Sequence, residues 1–154
     1  MSFDSRPDTY EHIAKVRGYM LMAAQELIER AHTHDQSKLE DPEKESWDIA
    51  TPKLASLEYG SDEYRASLRD IKPAVEHHYQ KNSHHPEHYT NGIDGMTLVD
   101  LLEMLCDWKA AGERHDPPND IIDSIEYNTK RFHISDQLAH VLFNTAEDWW
   151  ERQE

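Results

Sequence analysis

The chain has 154 residues, 37% hydrophobic and 31% charged, with four Trp, seven Tyr and three Phe. That is long enough to bury a core as one domain, and too aromatic for a disordered chain. Acidic residues number 31 against 16 basic, a formal net charge of −15. Duplex nucleic acid and anionic membranes both call for clustered Lys and Arg, so neither is an expected partner. The one cysteine, Cys106, excludes an internal disulfide and suits a reducing compartment. The opening Met-Ser-Phe-Asp-Ser-Arg-Pro-Asp has no apolar signal core, and no apolar run reaches the roughly 18 residues of a membrane span. A cytoplasmic protein is expected. Gly and Pro, 5 and 7 residues, are few for this length and point to long helices with few connections.

The first periodic segment covers about residues 8–31. Ile13, Val16, Met20, Ala23 and Leu27 step by three and four, as an amphipathic helix requires. Asp8 with Glu11 reads as its capping box, and His12 sits at the edge of the apolar face. The polar stretch 33–40 breaks the pattern. Asp41-Pro42-Glu43 then reads as a cap, a Pro at the first helical position and an acid in the first turn. A helix through Trp47, Ile49, Leu54 and Leu57 follows, with Pro52 expected to divide it. Gly60 closes that segment, and Ser61 opens the next through Tyr64 and Leu68. Pro73 either kinks this helix or begins another carrying Val75 to Tyr79.

Residues 82–95 have loop composition. Thr97 and Asp100 form a capping-box pair opening the most apolar helix, about residues 98–113, with Leu98, Leu101, Leu102, Leu105 and Trp108 as its stripe. Asp100, Glu103 and Asp107 form its remaining strip, and Cys106 at the stripe's edge reads as core. Asp116-Pro117-Pro118-Asn119 reads as a connection. Ile121, Ile122 and Ile125 mark another helix, and Ser135 caps a last one with Leu138, Val141, Leu142 and Trp149. No alternating β-branched run occurs. The expected fold is all-α: a single-domain bundle of six or seven helices, its core at about residues 8–115 and C-terminal helices at 119–151. Trp149-Trp150 reads as a terminal packing anchor or a homo-oligomer contact.

Histidine is concentrated. Of 11 His, five (His77, His78, His84, His85 and His88) fall within twelve positions. Upstream, His34-Asp35 stands in the polar break. Adjacent His and Asp side chains can converge on one ion only where the backbone leaves a helix, and divalent metals take imidazole nitrogen and carboxylate oxygen from separate chain positions. A metal held by His12, His34, Asp35 and a carboxylate of the central helix would keep positions open for water. Each element also has a simpler reading. His12 could edge a core, His34-Asp35 could be a helix end with an Asx turn, and Asp107 could lie on a solvated acidic face. Lys38, Lys81 and Arg17 are cations near these elements able to hold phosphate. Lys81, Asn82 and His88 offer donors to phosphate oxygens. Glu87 reads as a general acid or base, or as an ordinary Pro-Glu turn.

In this order, His12, then His34-Asp35 with Lys38 three positions on, His77-His78, and Asp107 in an apolar helix resemble the HD-domain metal-dependent phosphohydrolases. His-Asp-Gln-Ser-Lys, His-His-Pro-Glu-His-Tyr and Glu-Met-Leu-Cys-Asp-Trp also look like a bacteriophage-encoded family, which would put the protein in the host cytoplasm. The superfamily resemblance implies His12, His34, Asp35 and Asp107 as metal ligands. It implies a second ion on His77 or His78 with His84, His85 or His88. The run around the His-Asp pair, Ala31-His32-Thr33-His34-Asp35-Gln36, departs from the small apolar neighbours usual there and makes His32 a rival ligand. The expected activity is hydrolysis of a nucleotide or related phosphate ester. One or two divalent ions (iron, manganese, zinc, nickel or cobalt) would activate water, with Lys38 and Glu87 as catalytic groups. The alternative is a non-catalytic acidic protein that mimics nucleic acid, with a structural metal site.

Overall fold

The computed structural model describes residues 3–58, 60–114 and 118–152. Asp116 and Pro117, half of the expected connection before Asn119, lie outside these residues. Seven α-helices and no strand are present among the described residues, so the all-α expectation holds. Met1–His34 and Asp35–Glu154 form two compact units.

The first unit is essentially one helix, α1 (Arg6–Thr33). Its N-cap is Ser5, with no side-chain cap, and Asp8 stands in the first turn instead of capping it. Glu11 bonds Lys15 at 2.6 Å rather than closing a capping box. Further along, Glu26 pairs with Arg30 at 3.1 Å, the i,i+4 spacing that supports an isolated helix. The apolar stripe is real in sequence, yet Ile13, Val16 and Met20 are exposed and no residue of α1 is buried.

The second unit carries α2 (Lys44–Leu54), α3 (Asp62–Asp70), α4 (Lys72–Lys81), α5 (Leu98–Glu113), α6 (Ile121–Phe132) and α7 (Asp136–Ala146). A π-type turn, Glu147–Glu151, extends α7. Three local signals work as expected. Ser61 accepts from the Tyr64 N–H, Ser135 from Leu138, and Thr97 and Asp100 complete both bonds of the capping box. Pro73 begins a helix rather than kinking one. Pro52 does not divide its helix. It lies in the last turn of α2, and the helix runs on past it to Leu54. Asp41 does not cap α2 either: the N-cap is Glu43, whose side chain is turned inward and fully buried.

Two apolar clusters hold this unit together. One joins α5, α6 and α7 through Met104, Leu105, Trp108, Ile121, Ile125, Ile134, Ala139 and Leu142. The other joins α2 to α4 through Ala50, Leu54, Ile71 and Val75, with Trp47, Tyr64, Leu68 and Tyr79 against it. The stripe on α5 is rotated from the expected one. Leu98 is exposed while Met104 is buried, and Cys106 is exposed instead of packed in the core. The remaining strip is covered rather than solvated: Asp100 is buried and Glu103 nearly so. Trp150 packs on the α5–α7 cluster, and Trp149 is half exposed.

No helix among the described residues is long and apolar enough to cross a membrane.

Candidate metal centre

The site begins at a backbone turn. After α1 ends, Asp35 adopts φ 56° and ψ 14°, a left-handed conformation, and a 3-10 turn follows over Gln36–Leu39. Asp accepts this conformation better than most L-residues, through local hydrogen bonding by its short side chain. The turn brings the Lys38 Nζ to the Asp35 Oδ2, to which it donates at 2.6 Å, and lays the ammonium 4.8 Å from the Trp47 ring centroid.

The imidazoles arrive from the end of α4 and the loop after it. His78 Nε2 lies 3.3 Å from Asp35 Oδ1 and 2.9 Å from His85 Nε2. His84 Nε2 lies 3.6 Å from the same Asp35 Oδ1. His78 and His84 are buried and Asp35 and His85 partly exposed, while the Asp35 Oδ1 and His84 Nε2 atoms that face each other are themselves buried. One ligand atom from each of the four lies within 4.8 Å of the other three. For donors about 2.0–2.2 Å from a shared ion, neighbours stand about 2.9 Å apart in an octahedron and about 3.4 Å apart in a tetrahedron. The spacing and the three-nitrogen, one-carboxylate donor set both fit a divalent transition metal.

The surrounding residues fix these groups. Glu43 receives Trp47 Nε1–H at 3.0 Å and stands 2.8 Å from His77 Nδ1 and 3.0 Å from His78 Nδ1. Glu103, on α5, is 3.1 Å from His84 Nδ1. Asn82 closes α4 and donates to Ser37 Oγ and to the His78 carbonyl, both at 2.9 Å. Asp100 ties down the loop that carries His84 and His85, receiving Ser83 Oγ–H and Tyr89 O–H, each at 2.8 Å.

Electrostatics favours the ligand forms. Burial alone would raise the Asp35 carboxyl, but hydrogen bonds from His78 and Lys38 and their charge hold it well below the ordinary carboxylate range. Burial pushes the His85 imidazole well below its usual value, and His84 and His78 push it the same way. A carboxylate and a neutral imidazole are the states in which these groups bind metal.

Of the residues expected from sequence, Asp35, His78, His84 and His85 are therefore brought together. Asp107 offers an oxygen within 4.8 Å of a His84 nitrogen. His77 is bound to Glu43 beside the group. His88 donates from Nδ1 to the Tyr79 carbonyl at 2.8 Å, Lys81 is exposed, and Glu87 pairs with Arg131 at 2.7 Å. His12 is exposed in the second turn of α1, and His34 ends that helix with its N–H on the Arg30 carbonyl at 2.7 Å; both belong to the first unit. Sequence reasoning missed Glu43 and gave Glu103 and Asp100 no role at the site. The signal for the latter two was their spacing: residues 100, 103 and 107 share one helical face.

The chain belongs to a family of unknown function, DUF5662, which matches residues 1–148. No curated protein and no solved structure matches it.

Proposed function

We propose that this chain is a metal-dependent phosphohydrolase acting on a nucleotide or related phosphate ester, with Asp35, His78, His84 and His85 as the metal-binding group. The observation that carries this reading is the convergence of three imidazole nitrogens and one carboxylate oxygen, all within 4.8 Å of one another, with His78 2.9 Å from His85 and His78 and His84 3.3 and 3.6 Å from Asp35. A divalent ion such as manganese, iron, cobalt, nickel or zinc would supply Lewis acidity there, polarising a phosphoryl oxygen and acidifying water. The residues do the rest. Asp35 and the three imidazoles would hold the ion in place, with Asp35 and His85 the two partly exposed members of the group. Lys38, pinned 2.6 Å from Asp35, would offset part of the chain's −15 charge where an anionic phosphate approaches, and Lys81, at the end of α4, is a second candidate cation. The resemblance to the HD-domain phosphohydrolases supports the same chemistry. It also assigns ligand roles to His12 and His34, which rest on that resemblance.

The test is a substrate panel. Protein stripped with chelator and reloaded with manganese, nickel or cobalt is assayed on deoxynucleoside mono- and triphosphates, cyclic nucleotides and a generic phosphodiester. Metal-dependent release of phosphate, or opening of a cyclic phosphate, is expected for at least one class. No turnover with any metal would overturn the reading.

A second reading has its own observation. Four protein donors are enough to close a tetrahedral structural site, so a non-catalytic protein with a metal-stapled fold and an acidic, nucleic-acid-like surface fits the same residues. Salt-sensitive capture of a basic partner, without turnover, would favour it.

A further inference from the structure

Glu43 is the least exposed carboxylate among the described residues, at 0%. A buried carboxylate is costly unless its oxygens are fully hydrogen-bonded. Its partners here are specific. Oε1 faces His77 Nδ1 at 2.8 Å, and Oε2 faces both His78 Nδ1 at 3.0 Å and the Trp47 indole N–H at 3.0 Å. An ionised carboxylate only accepts hydrogen bonds, so an Nδ1 that bonds it carries a proton; at His78 the Asn82 amide nitrogen, 3.0 Å away, and the Ser37 hydroxyl, 3.3 Å away, stand against the same Nδ1 and compete with Glu43 for it. In a neutral ring, the form that binds metal, that leaves Nε2 with its lone pair; where Nε2 instead donates to Asp35 with Nδ1 still protonated, the ring is a cation and a metal must displace the Nε2 proton. For His78, Nε2 is the atom 3.3 Å from Asp35 Oδ1 and 2.9 Å from His85 Nε2. The pattern recurs on α5, where Glu103 Oε1 stands 3.1 Å from His84 Nδ1 while His84 Nε2 faces Asp35. Two imidazoles, one from a helix and one from a loop, are oriented the same way by two separate glutamates.

We propose that Glu43 is a positioning residue for the metal centre: it fixes the Nδ1–H tautomer and ring orientation of His78, with Glu103 doing the same for His84. The inference rests on the metal-binding reading of Asp35, His78, His84 and His85, yet it makes a claim about the metal-free protein too. It also gives His77 a role outside coordination, since His77 occupies the other oxygen of Glu43 and stops that carboxylate from rotating away from His78. The turn before α2 is thereby coupled to the metal centre through side chains 34 and 35 positions apart.

The experiment compares wild type with Glu43→Gln and Glu103→Gln, both nearly isosteric, and with Glu76→Gln, a change at an exposed α4 carboxylate paired with Lys72. Cobalt(II) affinity is measured by calorimetric titration, and the histidine tautomers of the metal-free proteins by long-range proton–nitrogen NMR. Wild-type His78 and His84 are expected as Nδ1–H tautomers. Glu43→Gln should shift His78 toward a mixture and weaken cobalt binding about 10–100-fold, the usual loss when the partner of a ligating histidine is changed. Glu103→Gln should do the same through His84, and Glu76→Gln should change neither. Cobalt affinity within twofold of wild type in Glu43→Gln, or an unchanged His78 tautomer, overturns the proposal. If wild type binds no cobalt, the metal reading fails, and the tautomer comparison still decides whether Glu43 orients His78. Should Glu43→Gln lose its helical circular dichroism, the Glu103→Gln arm decides: normal cobalt affinity there overturns the scheme.

Discussion

Asp35 Oδ1 stands 3.3 Å from Nε2 of the buried His78, and it does so because the Asp35 backbone turns left-handed at φ 56°. A residue 43 positions earlier in the chain thus meets an imidazole near the end of α4 through a single turn. Asp35→Asn keeps the size and tolerates the same backbone, but removes the charge a cation needs. We expect Asp35→Asn to lose metal while retaining helical circular dichroism. Metal content by elemental analysis, together with far-ultraviolet spectra, checks both halves.

The histidines should separate by their hydrogen bonds rather than by their closeness in sequence. His84→Asn removes a nitrogen facing Asp35 and should weaken metal binding more than tenfold, with a similar loss of any turnover, above about 1.4 kcal/mol. His88→Ala, only four residues away, removes a bond to the Tyr79 carbonyl and should leave metal affinity within twofold. Parallel titrations of the two variants would show whether the loop acts as a set of distinct groups.

Much of the fold was readable from local rules. Ser61, Thr97 with Asp100, and Ser135 stop or start helices through bonds spanning three residues, and such bonds are written into the sequence nearby. The site was legible as a composition of His and Asp, but its support was not. Glu43 follows a Pro and looks like a first-turn acid, while its partners His77 and His78 lie far along the chain. For Asp100, Glu103 and Asp107 the sequence left a solvated strip and a covered one both open, because a helical wheel shows only which residues share a face. It does not show that α5 is covered on two sides, by the apolar cluster of α6 and α7 and by the histidine loop.

Asp100 offers a pH test on a carboxylate that is not itself a member of the candidate metal-binding group. Burial would raise its carboxyl, but bonds from Thr97, Ser83 and Tyr89 hold it below the ordinary range. A depressed folded-state value means the unfolded chain takes up the proton first as pH falls. The stabilisation is therefore complete above the unfolded carboxylate value of about 3.9 and is lost below it. Asp100→Asn should cost about 1.5–3 kcal/mol at neutral pH. The gap between wild type and variant in urea unfolding should hold from about pH 7 to 5 and shrink below about pH 4. A gap that stays constant through that acid range would show that Asp100 is not held as a carboxylate.

The α5–α7 cluster sets the stability of the second unit. Leu105 is fully buried within it, so Leu105→Ala should destabilise by about 2–5 kcal/mol. Metal affinity of the folded fraction should change little, because Leu105 lies in the apolar cluster rather than among the ligating side chains. Denaturant melts with and without added metal separate the two effects.

The most direct measurement is a metal titration of chelator-stripped protein, scored as ions bound per chain for wild type and for the His78→Ala/His84→Ala double variant. At least one divalent transition ion per wild-type chain and none in the double variant is the predicted result. Wild type that stays sub-stoichiometric with manganese, cobalt, nickel and zinc alike, or a double variant that binds as wild type does, would contradict a metal centre built on Asp35, His78, His84 and His85.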